Sequence, residues 1–95
     1  MSTYRFIADP DHGWIEVTAL EIHRLGIAHR ISYHSYMSRD GSLVYLEEDV
    51  DAAYFFNAKE CAAEPVVLID EYDPNRSNIR SLPRFDLRRL DVTAG

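Results

Sequence analysis

The tetrapeptide Ser38-Arg39-Asp40-Gly41 lies between two stretches of β-formers, Ile31–Met37 and Leu43–Leu46. Asp followed by Gly supplies the positive backbone angle of a tight turn at little steric cost, so this pattern predicts a β-hairpin in the middle of the chain. With 95 residues in all, the chain is large enough for one hydrophobic core and too small for two. Every other element must therefore pack on the sheet that this hairpin begins.

The same grammar precedes the hairpin. Tyr4–Ala8 and Trp14–Val17 read as strands joined by the turn-forming Asp9-Pro10-Asp11-His12-Gly13. Thr18 and Glu21 have capping-box spacing, which predicts a short helix with Leu20, Ile22 and Leu25 on its apolar side. Gly26 is placed to end it in the left-handed conformation. After the central hairpin, Glu47-Glu48-Asp49-Val50-Asp51 puts carboxylates where a helix start favours them, with Asp49 or Asp51 as cap. A second helix follows over Ala52–Ala62 and is closed by Pro65. Val66–Ile69, continuing to Tyr72, reads as a buried strand, and Asp73-Pro74-Asn75 as a turn before a last strand around Ile79. The expected fold is a single α+β domain over residues 1–95 in the order ββα-ββα-ββ, a mainly antiparallel sheet with two helices. Residues 83–95 read as a short helical turn or a loose basic tail.

Cys61 is the only cysteine, which excludes an internal disulfide and a cysteine-based zinc site. Its place late in a helix among alanines predicts a buried, inert thiol. No stretch of eighteen apolar residues occurs, and the N-terminus lacks the basic and apolar regions of a leader, so a bacterial cytoplasm is expected and a membrane is not.

Charge is segregated within the total of −6. Residues 40–73 carry ten carboxylates against Lys59 alone, whereas residues 74–95 carry Arg76, Arg80, Arg84, Arg88 and Arg89 against two carboxylates. An acidic face is expected from Asp40, Glu47, Glu48, Asp49, Asp51, Asp70, Glu71 and Asp73, with Tyr36 beside it as a binding-surface aromatic. Tyr33 and Tyr45, on the same hairpin, are expected to face the core.

The catalytic vocabulary is thin. His12, His23, His29 and His34 fall in different elements without zinc-site spacing, and glycine-rich phosphate loops and Gly-x-Ser-x-Gly are absent. The acidic run lacks the glycine and ligand alternation of a calcium loop. No cofactor, metal ligand or catalytic residue is assigned. One local constellation stands out, the turn that sets Asp9 and Asp11 beside His12 and Trp14, which suits either a well-capped turn or a polar site.

Across His12–Val17, Leu25–Ile27, Ile31-Ser32 through Ser35-Tyr36, Tyr45–Ala52 and Ser77–Ser81, the chain resembles a family of short proteins encoded by bacteriophages and other mobile elements. Val50 stands where that family has cysteine and Asp11 where it has glycine. The resemblance implies a genetic setting, and with it a non-enzymatic protein that binds a host protein or ribonucleoprotein with a basic surface. An anti-CRISPR or other anti-defence inhibitor acting without direct nucleic-acid contact is the expectation, with a homodimer as an allowed assembly. The alternative is a small dimeric DNA-binding regulator using the C-terminal arginines.

Overall fold

A computed structural model describes residues 2–93. Strands β1 (Ser2–Ala8) and β2 (Gly13–Thr18) form the first hairpin, with Phe6 opposite Ile15 and Ala8 opposite Gly13. The Asp9 carboxylate builds the connection by accepting the Asp11 and His12 backbone N–H groups, each at 2.9 Å. Helix α1 (Ala19–Arg24) begins where Thr18 Oγ1 accepts the Glu21 N–H at 3.2 Å, and Gly26 at φ +71° follows its end. Only half of the expected capping box forms. The Glu21 carboxylate instead accepts from the Tyr4 hydroxyl at 2.5 Å and from Lys59 Nζ at 2.7 Å.

Strands β3 (Tyr36–Met37) and β4 (Leu43–Glu47) make the central hairpin around Gly41 at φ +79°. Helix α2 (Ala52–Cys61) follows, and β5 (Val66–Tyr72) then lies parallel to β1, giving the sheet order β3-β4-β2-β1-β5. The sheet is thus mixed, with antiparallel pairing everywhere except at β1 and β5.

Successive strand residues point to opposite faces, and both faces are used. Ile15, Val17, Val44 and Leu46 pack with Ile22 of α1 and Phe55 of α2. On the other side Trp14 and Tyr36 pack with Ile79 from the C-terminal segment, flanked by Ile7, Tyr45 and Leu82. The α+β reading holds, but the last expected strand is replaced by a 3-10 turn, Asn78–Ser81. Ser77 Oγ accepts the Ile79 N–H and starts that turn, and Pro83 cannot donate to a ladder. The segment after Pro83 is anchored: Phe85 is buried with its N–H on the Ser35 carbonyl at 2.9 Å, and the Asp91 N–H meets the Gly41 carbonyl at 2.9 Å. Another 3-10 turn spans Leu87–Arg89, while the tail residues 94 and 95 lie outside the described residues.

Four further expectations are corrected. Only Tyr36 and Met37 of the stretch from Ile31 form a strand, because Ser32 and Ser35 turn their hydroxyls onto Asp51. Tyr33 is 66% exposed and stacks on His34 instead of entering the core. Strand β5 is not buried: it is an edge strand with Ile69 and Tyr72 exposed. Cys61 is exposed, on a side of the last turn of α2 other than the one that buries Lys59.

Candidate functional site

The β1–β2 turn, the end of β4 and the C-terminal segment meet at a cleft of about 410 Å³. Its lining joins His12, Trp14, Glu47 and Asp49 to His34, Tyr36 and three arginines, Arg76, Arg80 and Arg84. The pairing of Trp14 with Glu47 across β2 and β4 sets both side chains on one sheet face. Tyr36 meets Trp14 edge-on with ring centroids 6.3 Å apart.

One buried ion pair holds the cleft together. Asp9, whose side chain is fully buried, accepts from both terminal nitrogens of Arg80 and from the Ser77 N–H at 2.8 Å. The Arg80 guanidinium, reinforced by the backbone donors and opposed by burial, holds the Asp9 carboxyl far below the usual carboxylate range. Arg80 then lies over the Trp14 ring at 5.0 Å, and Arg84 over the Tyr36 ring at 4.7 Å, a stacking to which a planar guanidinium is suited.

The acidic wall is arranged around Glu47. Its Oε2 accepts the Asp49 N–H at 2.8 Å, and its Oε1 lies 3.5 Å from His12 Nδ1 without a hydrogen bond. Among the described residues, Trp14 Nε1–H likewise has no acceptor although it is buried. Buried polar groups are normally partnered, so two unpartnered atoms at one cleft are unusual. Neighbouring Glu48 is raised above the usual carboxylate range by burial and by the adjoining Asp49 and Glu47 charges, with His12 opposing.

The nine residues expected to form one acidic binding face do not gather into it. Tyr36, Glu47 and Asp49 line the cleft, and Glu48 stands next to them. Tyr36 is buried beneath Arg84 and presents little surface of its own. Asp51 is fully buried and occupies the N-cap position of α2 without capping it; its carboxylate accepts the Ser32 N–H and the Ser32 and Ser35 hydroxyls at 2.8 and 2.5 Å. Asp40 sits at the opposite end of β4, tied to the Ser38 and Ser42 hydroxyls, and the Ser42 N–H with those hydroxyls brings its pKa to about 2. Asp70, Glu71 and Asp73 lie along β5 and just past it, with β2 and β1 between them and β4; Glu71 is clasped by Arg5 at 2.7 Å and Asp73 turned to the Asn75 N–H. Side-chain alternation and long-range pairing scatter what is contiguous in sequence.

The C-terminal arginines are also separated. Arg80 is committed to Asp9, Arg84 donates to the Tyr33 carbonyl, Arg88 pairs with Asp86, and Arg89 reaches the Arg39 carbonyl. Arg76 stands at the cleft. The cleft is therefore lined by carboxylates from the end of β4 and by cations from the C-terminal segment, an assembly that no local run of the sequence announces. The one local clue is the Asp9–Trp14 turn, which supplies Asp9, His12 and Trp14 together.

Among the described residues, no helix is long and apolar enough to cross a membrane. Compared with protein-family models, curated proteins and solved structures, the chain matches none.

Proposed function

We propose that this protein works by binding another protein at the His12–Trp14–Glu47 cleft, as a non-enzymatic factor of a phage or other mobile element acting on a host component. The observation that carries the reading is the cleft itself: carboxylates and cations from separate elements in one lining, with the indole N–H of Trp14 buried and lacking an acceptor among the described residues. A protein surface offers side chains of both signs and backbone carbonyls, so it can match both kinds of group. A nucleic-acid backbone, uniformly anionic, would be favoured by the arginines and repelled by Glu47 and Asp49. The segments on which the phage-family resemblance rests supply His12, Trp14, Tyr36, Glu47, Asp49 and Arg80, which supports this cleft as the working surface. Inhibition of a defence complex is one outcome such binding can have.

The test is affinity capture from host lysate with the full chain, comparing wild type with Asp49→Asn and Arg76→Ala. Asp70→Asn on the distant edge strand serves as control. One host protein should be retained by wild type and the control, weakened by both cleft variants, and released progressively by salt. Equal retention by all four proteins refutes the cleft, and retention of duplex DNA that needs Arg76 but not Asp49 replaces it with the DNA-binding reading.

A further inference from the structure

We propose that His12, Glu47 and Asp49 form a site for a divalent transition-metal ion, with Zn²⁺ the best-matched. One ligand atom from each of the three, an imidazole nitrogen and two carboxylate oxygens, lies within 4.8 Å of the other two. Three acidic or imidazole groups in proximity are commonplace on protein surfaces. What separates this cluster from them is Glu47: its side chain is 9% exposed, and its Oε1 has no hydrogen-bond donor among the described residues while facing His12 Nδ1 at 3.5 Å. A desolvated carboxylate oxygen without a donor is costly, and a metal ion removes that cost.

The His12–Glu47 separation fits. Two ligands on a tetrahedral ion with bonds of about 2.0–2.2 Å stand roughly 3.3–3.6 Å apart, which is the range of the 3.5 Å between His12 Nδ1 and Glu47 Oε1. Asp49, at an exposed position within 4.8 Å, closes on the ion by a side-chain rotation. Supporting contacts hold the Glu47 carboxylate and the turn that carries His12. Glu47 Oε2 is held by the Asp49 N–H, which leaves Oε1 to the ion and draws Asp49 toward it. The His12 N–H is held by Asp9, itself locked by Arg80, so the imidazole is carried on a rigid turn. Such outer contacts are what distinguish a built site from an accidental one.

The ligand set selects the metal. One nitrogen and two carboxylates suit Zn²⁺ or Mn²⁺, whereas Ca²⁺ prefers six to eight oxygens and Mg²⁺ keeps most of its waters. By the usual order of stabilities, Zn²⁺ binds more tightly than Mn²⁺. Three protein ligands leave at least one coordination position open toward the cleft, where a carboxylate or carbonyl of a bound partner can reach it. This inference extends the cleft reading without depending on it, since it concerns only this chain and the ion.

Isothermal titration of chelator-treated full-length protein with Zn²⁺ and with Mn²⁺ tests it. One Zn²⁺ per chain is expected, binding at least tenfold more tightly than Mn²⁺, with Ca²⁺ silent. His12→Ala and Asp49→Asn, both at exposed positions, should each weaken Zn²⁺ at least tenfold with far-ultraviolet circular dichroism unchanged, while His34→Ala, on the same cleft but outside the cluster, should not. Absence of binding at millimolar Zn²⁺ overturns the site. So does binding that survives both ligand substitutions, which would mean adventitious capture by other histidines. A partner captured equally well in chelator would leave the metal result standing, and a missing metal would leave the partner result standing.

Discussion

Replacing Asp9 with alanine should unfold much of what the cleft depends on. Asp9 is fully buried and accepts five hydrogen bonds, from the Asp11, His12 and Ser77 backbone N–H groups and both terminal nitrogens of Arg80. The substitution leaves the Arg80 side chain, only 13% exposed, over the Trp14 ring without its paired carboxylate, and leaves the buried Ser77 N–H without that acceptor. Removing one partner of a buried pair costs about 3–5 kcal/mol. A chain of this length has on the order of 5–14 kcal/mol to lose, so the variant should give up roughly a fifth or more of its stability. In a thermal melt the drop is on the order of 12–40 °C. Urea unfolding followed by Trp14 fluorescence measures the free energy directly. The pH profile gives a second reading of the same bond. Because the folded pKa of Asp9 is depressed, its contribution is fully present above the unfolded value of about 3.9 and is lost as pH falls through the folded value. Wild type should therefore lose stability below about pH 4 more steeply than Asp9→Ala. Converting Arg80 to Met in the Asp9→Ala background should recover at least about 1 kcal/mol, since the stranded charge is gone. A loss under about 1 kcal/mol in Asp9→Ala, or no recovery in the double variant, would refute the assignment of the pair as the clamp of the cleft.

Other substitutions probe other contacts. Gly26→Ala and Gly41→Ala should separate conformational strain from collision: both sites have positive φ, but a Cβ at Gly26 meets nothing within 4 Å while one at Gly41 lies 2.1 Å from the Arg89 carbonyl oxygen. Chemical denaturation should show a loss of about 1 kcal/mol for the first and at least about 2 kcal/mol for the second, with the C-terminal segment released. Asp51→Asn keeps the shape and removes the charge that accepts from Ser32 and Ser35, so a loss of about 1.5–3 kcal/mol is expected by the same assay. Lys59→Met tests a cation that is 2% exposed between Glu21 and Glu64; because Arg24 also holds both carboxylates, the loss should stay near 1–3 kcal/mol, measured by thermal melting. Ile69→Lys on the exposed edge strand should change stability by less than about 0.5 kcal/mol, and a larger loss would show that β5 is covered in solution.

Local chemistry, which depends on neighbours within a few residues, was legible without coordinates. The Asp40-Gly41 turn, the Thr18 cap, the left-handed Gly26 and the alternation of β2 all follow from steric and hydrogen-bonding rules that act over one turn of chain, and each occupies its expected place. The class and the order of the first seven elements follow from them. Tertiary structure decided the rest, because it depends on which strand lies next to which. Parallel docking of β5 on β1 turned an apolar run from a core strand into an edge. Pairing Trp14 with Glu47, and Asp9 with Arg80 across 71 positions, assembled the cleft and dispersed the acidic block. Charge counted along a chain ignores side-chain direction. Direction is set by pairing register, and register is a long-range choice.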